Sequence, residues 1–152
     1  RPDQQLHVDW IPWSLPEEVM ADPNVNLPVF ISTAHFYLND LYEELGPTKV
    51  IPGSHKSGRK PNGQSQWKGV GEQSVMVKAG DVTIHRSEVW HRGSANRSDD
   101  TRYLLQVACA SRWIAQRFPP YLGQFRFSED TLAQATPRQI RMMGGHKQGA
   151  FD

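Results

Sequence analysis

Short hydrophobic segments separated by Pro- and Gly-rich turns constrain this chain more than any other feature of its sequence. Their residues are β-branched or aromatic, or alternate with polar residues, as is typical of strands. We predict strands over residues 4–10, 28–38, 48–51, 75–78, 81–85 and 101–113. Many short strands joined by such turns indicate a mainly β fold, which can be a sandwich, a jelly roll or a barrel.

The remaining segments are predicted as loops and a helical tail. Residues 11–27 and 56–74 are rich in turn-forming and polar residues, and both are interpreted as loops. Ser128 is a typical N-cap, Thr136-Pro137 is typical of the start of a second helix, and Gly144-Gly145 of its end.

We therefore interpret residues 1–152 as one domain. Its strand-forming core extends over 4–113, and a short helical tail extends over 114–152.

The composition excludes several classes of protein. A formal net charge of +1 gives no strong field that would attract nucleic acid. No apolar run approaches the length of about 18 residues that a membrane span needs. The single cysteine, Cys109, cannot form an intrachain disulfide, which suits a reducing compartment. We expect a cytoplasmic protein that acts on a small molecule, with no nucleic-acid or membrane partner.

Two residues are interpreted as having structural roles. Cys109 alternates with Leu105 and Val107 in the last predicted strand, so it is interpreted as a small buried hydrophobic residue. His35 shares a strand face with Thr33 and Tyr37, and it is expected to be an interior or edge histidine with a hydrogen-bond partner rather than a ligand.

The tripeptide His7-Val8-Asp9 is the first segment that carries recognisable chemistry. In a strand, residues i and i+2 project from one face about 6–7 Å apart, so His7 and Asp9 can reach one cation. Two histidines and one carboxylate on one face of an octahedron form the open-sided Fe(II) site of non-haem oxygenases. The alternative is a solvated His and Asp at a strand edge, and only a third ligand would distinguish a metal site from it.

That third ligand has to be a histidine from a distant strand, and His35, His55, His85 and His91 are candidates. His91 is favoured because it lies at the entry to a turn, where its side chain can face an open cavity. Arg102 follows it by eleven residues. A guanidinium binds a carboxylate through two parallel hydrogen bonds, which suits a dicarboxylate whose other end is on iron. On these arguments alone His85 stays open as the second choice.

Five segments, taken together, resemble the phytanoyl-CoA dioxygenase family of Fe(II)- and 2-oxoglutarate-dependent oxygenases. They are QLHVDW, GPTKVIPGSHKSGR, KAGDVTIH, VWHRGSANRSDDTRY and TPRQIRMMGG. Each is weak alone, but they occur in the family's order and with similar spacing over nearly the whole chain. The resemblance implies a double-stranded β-helix, a cupin-like jelly roll, followed by a short helical tail.

The resemblance also implies roles for individual residues. His7, Asp9 and His91 become the metal ligands and the catalytic centre, and Arg102 becomes the anchor for 2-oxoglutarate. Thr48 lies in a strand that resembles the border of the cosubstrate pocket. The implied cofactors are Fe(II), 2-oxoglutarate and O2. The implied reaction hydroxylates a small organic or lipid-like substrate and releases succinate and CO2.

Two departures from the family pattern bear on these expectations. Family members carry sequence before the HxD motif that completes the sheet, and this chain has almost none of it. We therefore expect missing N-terminal elements, and weak stability or dimerisation through an exposed edge. Some members also carry a hydrogen-bonding side chain two residues after the distal His, where this chain has Gly93. Ser94, Asn96 and Ser98 are candidates to replace it.

Three other functions are weighed against the oxygenase. They are a non-catalytic cupin-like domain that binds a metal or ligand, a zinc hydrolase with Glu88 as general base, and an inactive fragment of such an oxygenase. Arg102 argues against the first two, because neither needs a clamp for a carboxylate.

Overall fold

The computed structural model describes residues 2–11, 15–111, 114 and 127–143. The chain divides into two compact units, Arg1–Arg112 and Trp113–Asp152. All described strands lie in the first unit. The interpretation of the chain as a single domain stays a prediction, and Gly144-Gly145 lies outside the described residues.

Within the described residues of the first unit, eight antiparallel strands form its sheets. They are β1 (Ile31–Tyr37), β2 (Thr48–Val50), β3 (Gln66–Trp67), β4 (Val70–Gly71), β5 (Gln73–Ser74), β6 (Val82–Arg86), β7 (His91–Gly93) and β8 (Leu104–Ala110). One three-stranded sheet has the order β6-β1-β8, a second has the order β5-β2-β7, and β3 pairs with β4. From β5 onward, consecutive strands alternate between the two larger sheets. The predicted mainly β fold is confirmed.

Two hydrophobic clusters form the core of this unit. Their members are Val8, Ile51, Trp67 and Trp90 in one cluster, and Tyr37, Leu41 and Leu45 in the other. Trp90 is fully buried, its backbone N–H donates to Ser54 Oγ, and its indole N–H donates to the Arg59 carbonyl. Because Trp90 immediately precedes His91, this packing and bonding fix the start of β7.

Two predicted strands are extended segments that do not form continuous ladders. In residues 4–10, only His7 makes a β-bridge, with His91. In residues 75–78, the Val75 N–H donates to Thr48 O, whereas Val77 O accepts from Leu41. Each segment therefore makes separate backbone hydrogen bonds. It forms no ladder, because a ladder needs consecutive hydrogen bonds to one partner strand.

The two predicted loops contain regular structure. Residues 11–27 include the helix α1 (Glu17–Ala21), and residues 56–74 include the strands β3 to β5. A 3-10 helix, Ser54–Ser57, leads into the second of these segments. Gly63 and Gly69 have positive φ, which glycine adopts without steric cost. The chain can therefore reverse its direction between very short strands.

The second unit contains the predicted helices α2 (Glu129–Gln134) and α3 (Pro137–Met142). Ser128 Oγ accepts the Thr131 N–H at 3.2 Å, which confirms the predicted cap. Thr136 and Gln139 form a reciprocal capping box at the second helix. No helix in the described part of the chain has the length and apolar content that a bilayer span requires.

Candidate metal centre

Two backbone hydrogen bonds join His7 to His91. The N–H of each residue donates to the carbonyl of the other at 2.9 Å. Such a hydrogen-bonded antiparallel pair places both side chains on one face, and the two imidazole rings lie 4.5 Å apart. A single bridge therefore brings together two histidines that are 84 residues apart in the chain.

Asp9 completes a cluster with the two histidines. Its Oδ1 lies 3.5 Å from His91 Nε2 and 3.8 Å from His7 Nε2. One donor atom from each of the three residues lies within 4.8 Å of the other two. Bonds of about 2.1 Å at right angles would put donor atoms about 3 Å apart, so small side-chain rotations can bring all three onto one ion.

Backbone carbonyls hold the other nitrogen of each imidazole. His7 Nδ1 lies 2.7 Å from Gln5 O, and His91 Nδ1 lies 2.9 Å from Val89 O. Because only a protonated nitrogen can donate to a carbonyl, each neutral ring presents an unprotonated Nε2 towards Asp9. This is the arrangement by which proteins orient metal-binding histidines, so the donor set fits a divalent metal.

When His91 is protonated, it forms an ion pair with Asp9. The hydrogen bond from His91 is the main cause that lowers the pKa of Asp9. Burial disfavours charge on His91, but its hydrogen bonds to Asp9 and to the Val89 carbonyl outweigh burial and raise the pKa of His91. A metal ion has to displace that proton, so its affinity should fall in acid.

His85 and His35 lie beside the cluster. The His85 ring lies 5.2 Å from His91 and 4.9 Å from the His35 ring. Burial, followed by the nearby His35 and His91, lowers the pKa of His85 to about 4. Burial also lowers the pKa of His35. His85, the second choice for the third ligand, is not part of the three-residue donor group.

His35 is buried, which is one of the two settings expected for it, but its Nδ1 has no hydrogen-bond partner among the described residues. The expected bond is therefore absent at that atom. Its place on β1, opposite Thr83 of β6 and Gln106 of β8, puts it on a polar face of the sheet.

Arg102 and Thr48 both lie close to the C-terminal end of β7. Arg102 donates a hydrogen bond to Gly46 O and lines an open cavity of about 520 Å³. Thr48 is buried and pairs directly with Gly93, while Val50 pairs with His91. Directly paired residues share a face, so Thr48 projects from the same face of this sheet as His91.

The three candidates to replace the side chain missing at Gly93 are used elsewhere or unpaired. Asn96 Oδ1 accepts from both the backbone N–H and the hydroxyl of Ser98, so these two residues build the turn after β7. Ser94 Oγ is buried and has no partner. The side chain of Gln4, a residue that the sequence analysis missed, contacts Gly93. Pairing His7 with His91 would have revealed it, because the antiparallel register then brings the segment before His7 alongside Gly93.

Comparison with known proteins decides the family. The sequence model of phytanoyl-CoA dioxygenase (PhyH) matches residues 1–104. The chain belongs to this family. Dioxygenase trt7 of Aspergillus terreus is 26% identical over 165 residues, which cover 99% of this chain and 50% of that protein. Dioxygenase cdmD of Talaromyces verruculosus is 25% identical over 122 residues, which cover 79% of this chain and 38% of that protein. This chain thus spans half the length of these relatives or less.

Solved structures have a similar fold. EvdMO1 superposes with a TM-score of 0.55 and 22% identity, over 72% of this chain and 23% of that chain. EctD from S. alaskensis with bound Fe superposes with a TM-score of 0.51 and 18% identity, over 70% of this chain and 38% of that chain. The non-heme alpha ketoglutarate dependent carbocyclase SnoK from nogalamycin biosynthesis superposes with a TM-score of 0.50 and 24% identity, over 70% of this chain and 42% of that chain. These likenesses confirm the predicted fold class of this phytanoyl-CoA dioxygenase family member.

Proposed function

We propose that this protein is a non-haem Fe(II)- and 2-oxoglutarate-dependent dioxygenase that hydroxylates a small organic or lipid-like substrate. The observation that carries the proposal is the cluster of His7, Asp9 and His91, whose donor atoms lie within 4.8 Å of one another. Two imidazoles and one carboxylate on one side of an ion leave the other side free for cosubstrate and O2. Membership of the phytanoyl-CoA dioxygenase family supports the same chemistry.

His7 and His91 would bind Fe(II) through Nε2, and Asp9 through a carboxylate oxygen. Their Nδ1 atoms stay on the carbonyls of Gln5 and Val89, so both rings keep their orientation. The iron would supply the oxygenase chemistry, in which O2 is the oxidant: one oxygen atom ends in succinate as 2-oxoglutarate loses CO2, and the other goes to the substrate as a hydroxyl group. The protein would position both groups.

Arg102 would hold the far carboxylate of 2-oxoglutarate, and Thr48 would border the same pocket. The Arg102 side chain has five N–H donors, and its bond to Gly46 O uses one Nη. Its other donors have no bond to another described residue, so they can bind a carboxylate. His35 and His85 add no positive charge near neutral pH, because both have lowered pKa values, so they do not repel a bound cation.

The hydrolase is less well supported, because its candidate base is engaged. Glu88 is only 6% exposed, and its carboxylate accepts bonds from Arg86 at 3.0 and 3.3 Å and from Ser87 Oγ at 3.2 Å. A carboxylate held in this way is poorly placed to take a proton from a metal-bound water. Cytoplasmic location, homodimerisation and the absence of a nucleic-acid partner stay predictions.

The test is anaerobic addition of Fe(II) and 2-oxoglutarate, followed by the visible charge-transfer band of the complex. We expect a band in the parent protein, no band in Asp9→Ala, and a band that needs more 2-oxoglutarate in Arg102→Ala. Asp99→Ala and Arg138→Ala alter exposed residues and serve as matched controls that keep the parent band. A parent protein that binds Fe(II) but gives no band at saturating 2-oxoglutarate would contradict the proposal.

A further inference from the structure

The inward face of the sheet formed by β6, β1 and β8 carries two imidazole nitrogens that make no hydrogen bond. They are His35 Nδ1 and His85 Nε2, which are shielded from solvent and have no partner among the described residues. His35 as a whole is only 6% exposed. A buried polar atom without a bond is costly, and native proteins keep few of them. Two such atoms on neighbouring rings therefore indicate a ligand that supplies the missing bonds.

Strand register brings the two histidines together. His85 lies directly opposite Thr33, and His35 lies directly opposite Thr83, so the two histidines are diagonal neighbours on one face. Their ring centroids are 4.9 Å apart, and the ring planes are inclined at 76°. The rings thus pack edge to face, and this contact leaves both unpaired nitrogens without a bond.

The other polar groups of this face do not supply the missing bonds. The Tyr37 hydroxyl lies 3.1 Å from Thr83 Oγ1, so these two hydroxyls bond to each other. Gln106 of β8 lies directly opposite His35, and its side chain is exposed. Because directly paired residues share a face, each of the three strands contributes one polar side chain to a row, here called the polar row. Its members are His85, His35 and Gln106.

The polar row begins beside the candidate metal centre. The His85 ring lies 5.2 Å from the ring of His91, which belongs to the donor group with His7 and Asp9. A molecule held against the polar row would therefore lie close to an ion bound to His91. The row has the position of a substrate-binding surface, and its side chains determine which chemical groups it accepts.

We propose that the polar row of His85, His35 and Gln106 binds an uncharged oxygen of the substrate, a hydroxyl or carbonyl group. This inference rests on the proposed function and narrows its substrate class to oxygen-bearing molecules, in place of plain hydrocarbon or acyl chains. A neutral imidazole and a primary amide each offer a donor and an acceptor, so the row can bond either kind of oxygen. A half-turn of a histidine ring exchanges its nitrogen and carbon positions with little change in packing, which turns a shielded nitrogen towards a ligand.

An NMR titration of the protein without added metal tests this inference, with cyclohexanol as the probe and benzene as a ring that lacks oxygen. We expect cyclohexanol to shift the ring signals of His35 and His85 in a saturable manner. His35→Phe and His85→Phe keep a planar ring but remove the hydrogen bonds. We expect each to weaken cyclohexanol binding about fivefold and to leave benzene binding almost unchanged.

Ile84→Phe is the matched control. It adds the same ring to β6 on the outward face, where Ile84 is 72% exposed, so its affinity for cyclohexanol should equal that of the parent. Gln106→Leu is a further test at an exposed position, where a substitution leaves the core intact. We expect it to weaken binding of cyclohexanol but not of benzene.

Three results would overturn the inference. The first is a parent protein whose His35 and His85 signals do not respond to cyclohexanol. The second is a pair of Phe variants that bind cyclohexanol as tightly as the parent. The third is an equal loss of cyclohexanol and benzene binding in these variants, because it would mean that the histidines only shape the cavity.

This titration needs neither iron nor 2-oxoglutarate, so its outcome is independent of the test of the proposed function. If the visible band forms but cyclohexanol binding does not depend on the polar row, the proposed function stands and the inference is wrong. If cyclohexanol binding depends on the row but no band forms at saturating 2-oxoglutarate, the row binds oxygen-bearing molecules and the proposed function fails.

Discussion

In a simple amphipathic sheet the apolar face is buried. In the sheet formed by β6, β1 and β8, apolar side chains lie on the exposed face instead. On β1, the buried face carries Thr33, His35 and Tyr37, with exposures of 2, 6 and 2%. The other face carries apolar residues that remain exposed, among them Ile84 at 72% and Leu105 at 54%. A two-residue period separates the faces of a strand but does not say which one is buried. Here the buried face is partly polar because His35 and His85 on it lie beside the candidate metal centre.

Cys109 illustrates the consequence for prediction. Its alternation with Leu105 and Val107 predicted burial, but Cys109 is exposed. It pairs with Ser32, and Leu105 pairs with Phe36, so all lie on the apolar outward face. Gln106, the one polar residue of this part of β8, pairs with the buried His35. The prediction was wrong because β8 is an edge strand whose residues 105–109 are exposed on both faces, so the alternation does not mark a buried side.

The largest expected effect concerns adjacent aromatic residues on β1. Tyr37 is 2% exposed and packs with Leu41 and Leu45, and its hydroxyl lies 3.1 Å from Thr83 Oγ1. We expect Tyr37→Ala to lower the free energy of unfolding by about 3–5 kcal/mol. Phe36→Ala, on the outward face at 38% exposure, should lower it by about 1 kcal/mol. Urea denaturation of both variants measures the difference.

Equal losses of unfolding free energy in Tyr37→Ala and Phe36→Ala would contradict the difference between the two faces. They would mean that the outward face is packed as tightly in solution as the inward one. Tyr37→Phe separates packing from hydrogen bonding, because it keeps the ring and removes only the contact with Thr83; we expect a loss of about 1 kcal/mol.

The intermediate effect is a pH dependence that arises from His85. Its pKa is about 4 in the folded protein and has a reference value of 6.5, so the unfolded chain binds the proton more tightly. The free energy of unfolding should therefore rise with pH between about 4 and 6.5 and level off above. His85 is partly accessible, so we expect it to account for about 1–2 kcal/mol of this rise.

Thermal or urea unfolding of metal-free protein across this pH range measures the effect. His85→Gln should show a shallower pH dependence than the parent, whereas Ile84→Gln on the outward face should follow the parent profile. An unchanged slope in His85→Gln would show that the histidine is solvated rather than desolvated beside the candidate metal centre.

The smallest effects are expected on the outward face. Ile84→Thr and Cys109→Ser should each change the free energy of unfolding by less than about 0.5 kcal/mol, because both side chains are already exposed. Cys109 should also react with a thiol-specific reagent in the folded protein at a rate close to that in urea. Strong protection of Cys109 in native conditions would indicate that this face is covered.

Prediction from sequence succeeded where the deciding interactions are local. The caps at Ser128 and Thr136 depend on side chains that bond within three residues, and the structure has both. The strand at β1 also follows from local β-branched and aromatic content. Elements whose bonds go to distant segments were less predictable, as the missing ladder over residues 75–78 shows.

The candidate site was predicted in part for the same reason. The HxD spacing is local, so His7 and Asp9 could be grouped from sequence, and the structure brings His91 to them. Their role as metal ligands stays a prediction, as do the roles of Arg102 and Thr48. Gln4 was missed because its contact with Gly93 joins residues 89 positions apart.

The sequence alone determined the mainly β class, the helix caps in the tail and the pairing of a histidine with a carboxylate two residues later. Each of these follows from residue type and short spacing. Only the tertiary structure decided that His91 rather than His85 joins the donor group, that Gln4 fills the place beside Gly93, and that the apolar face of β8 points outward. These features depend on strand register, which is set by long-range hydrogen bonds, and a shift of one residue would turn every side chain to the other face.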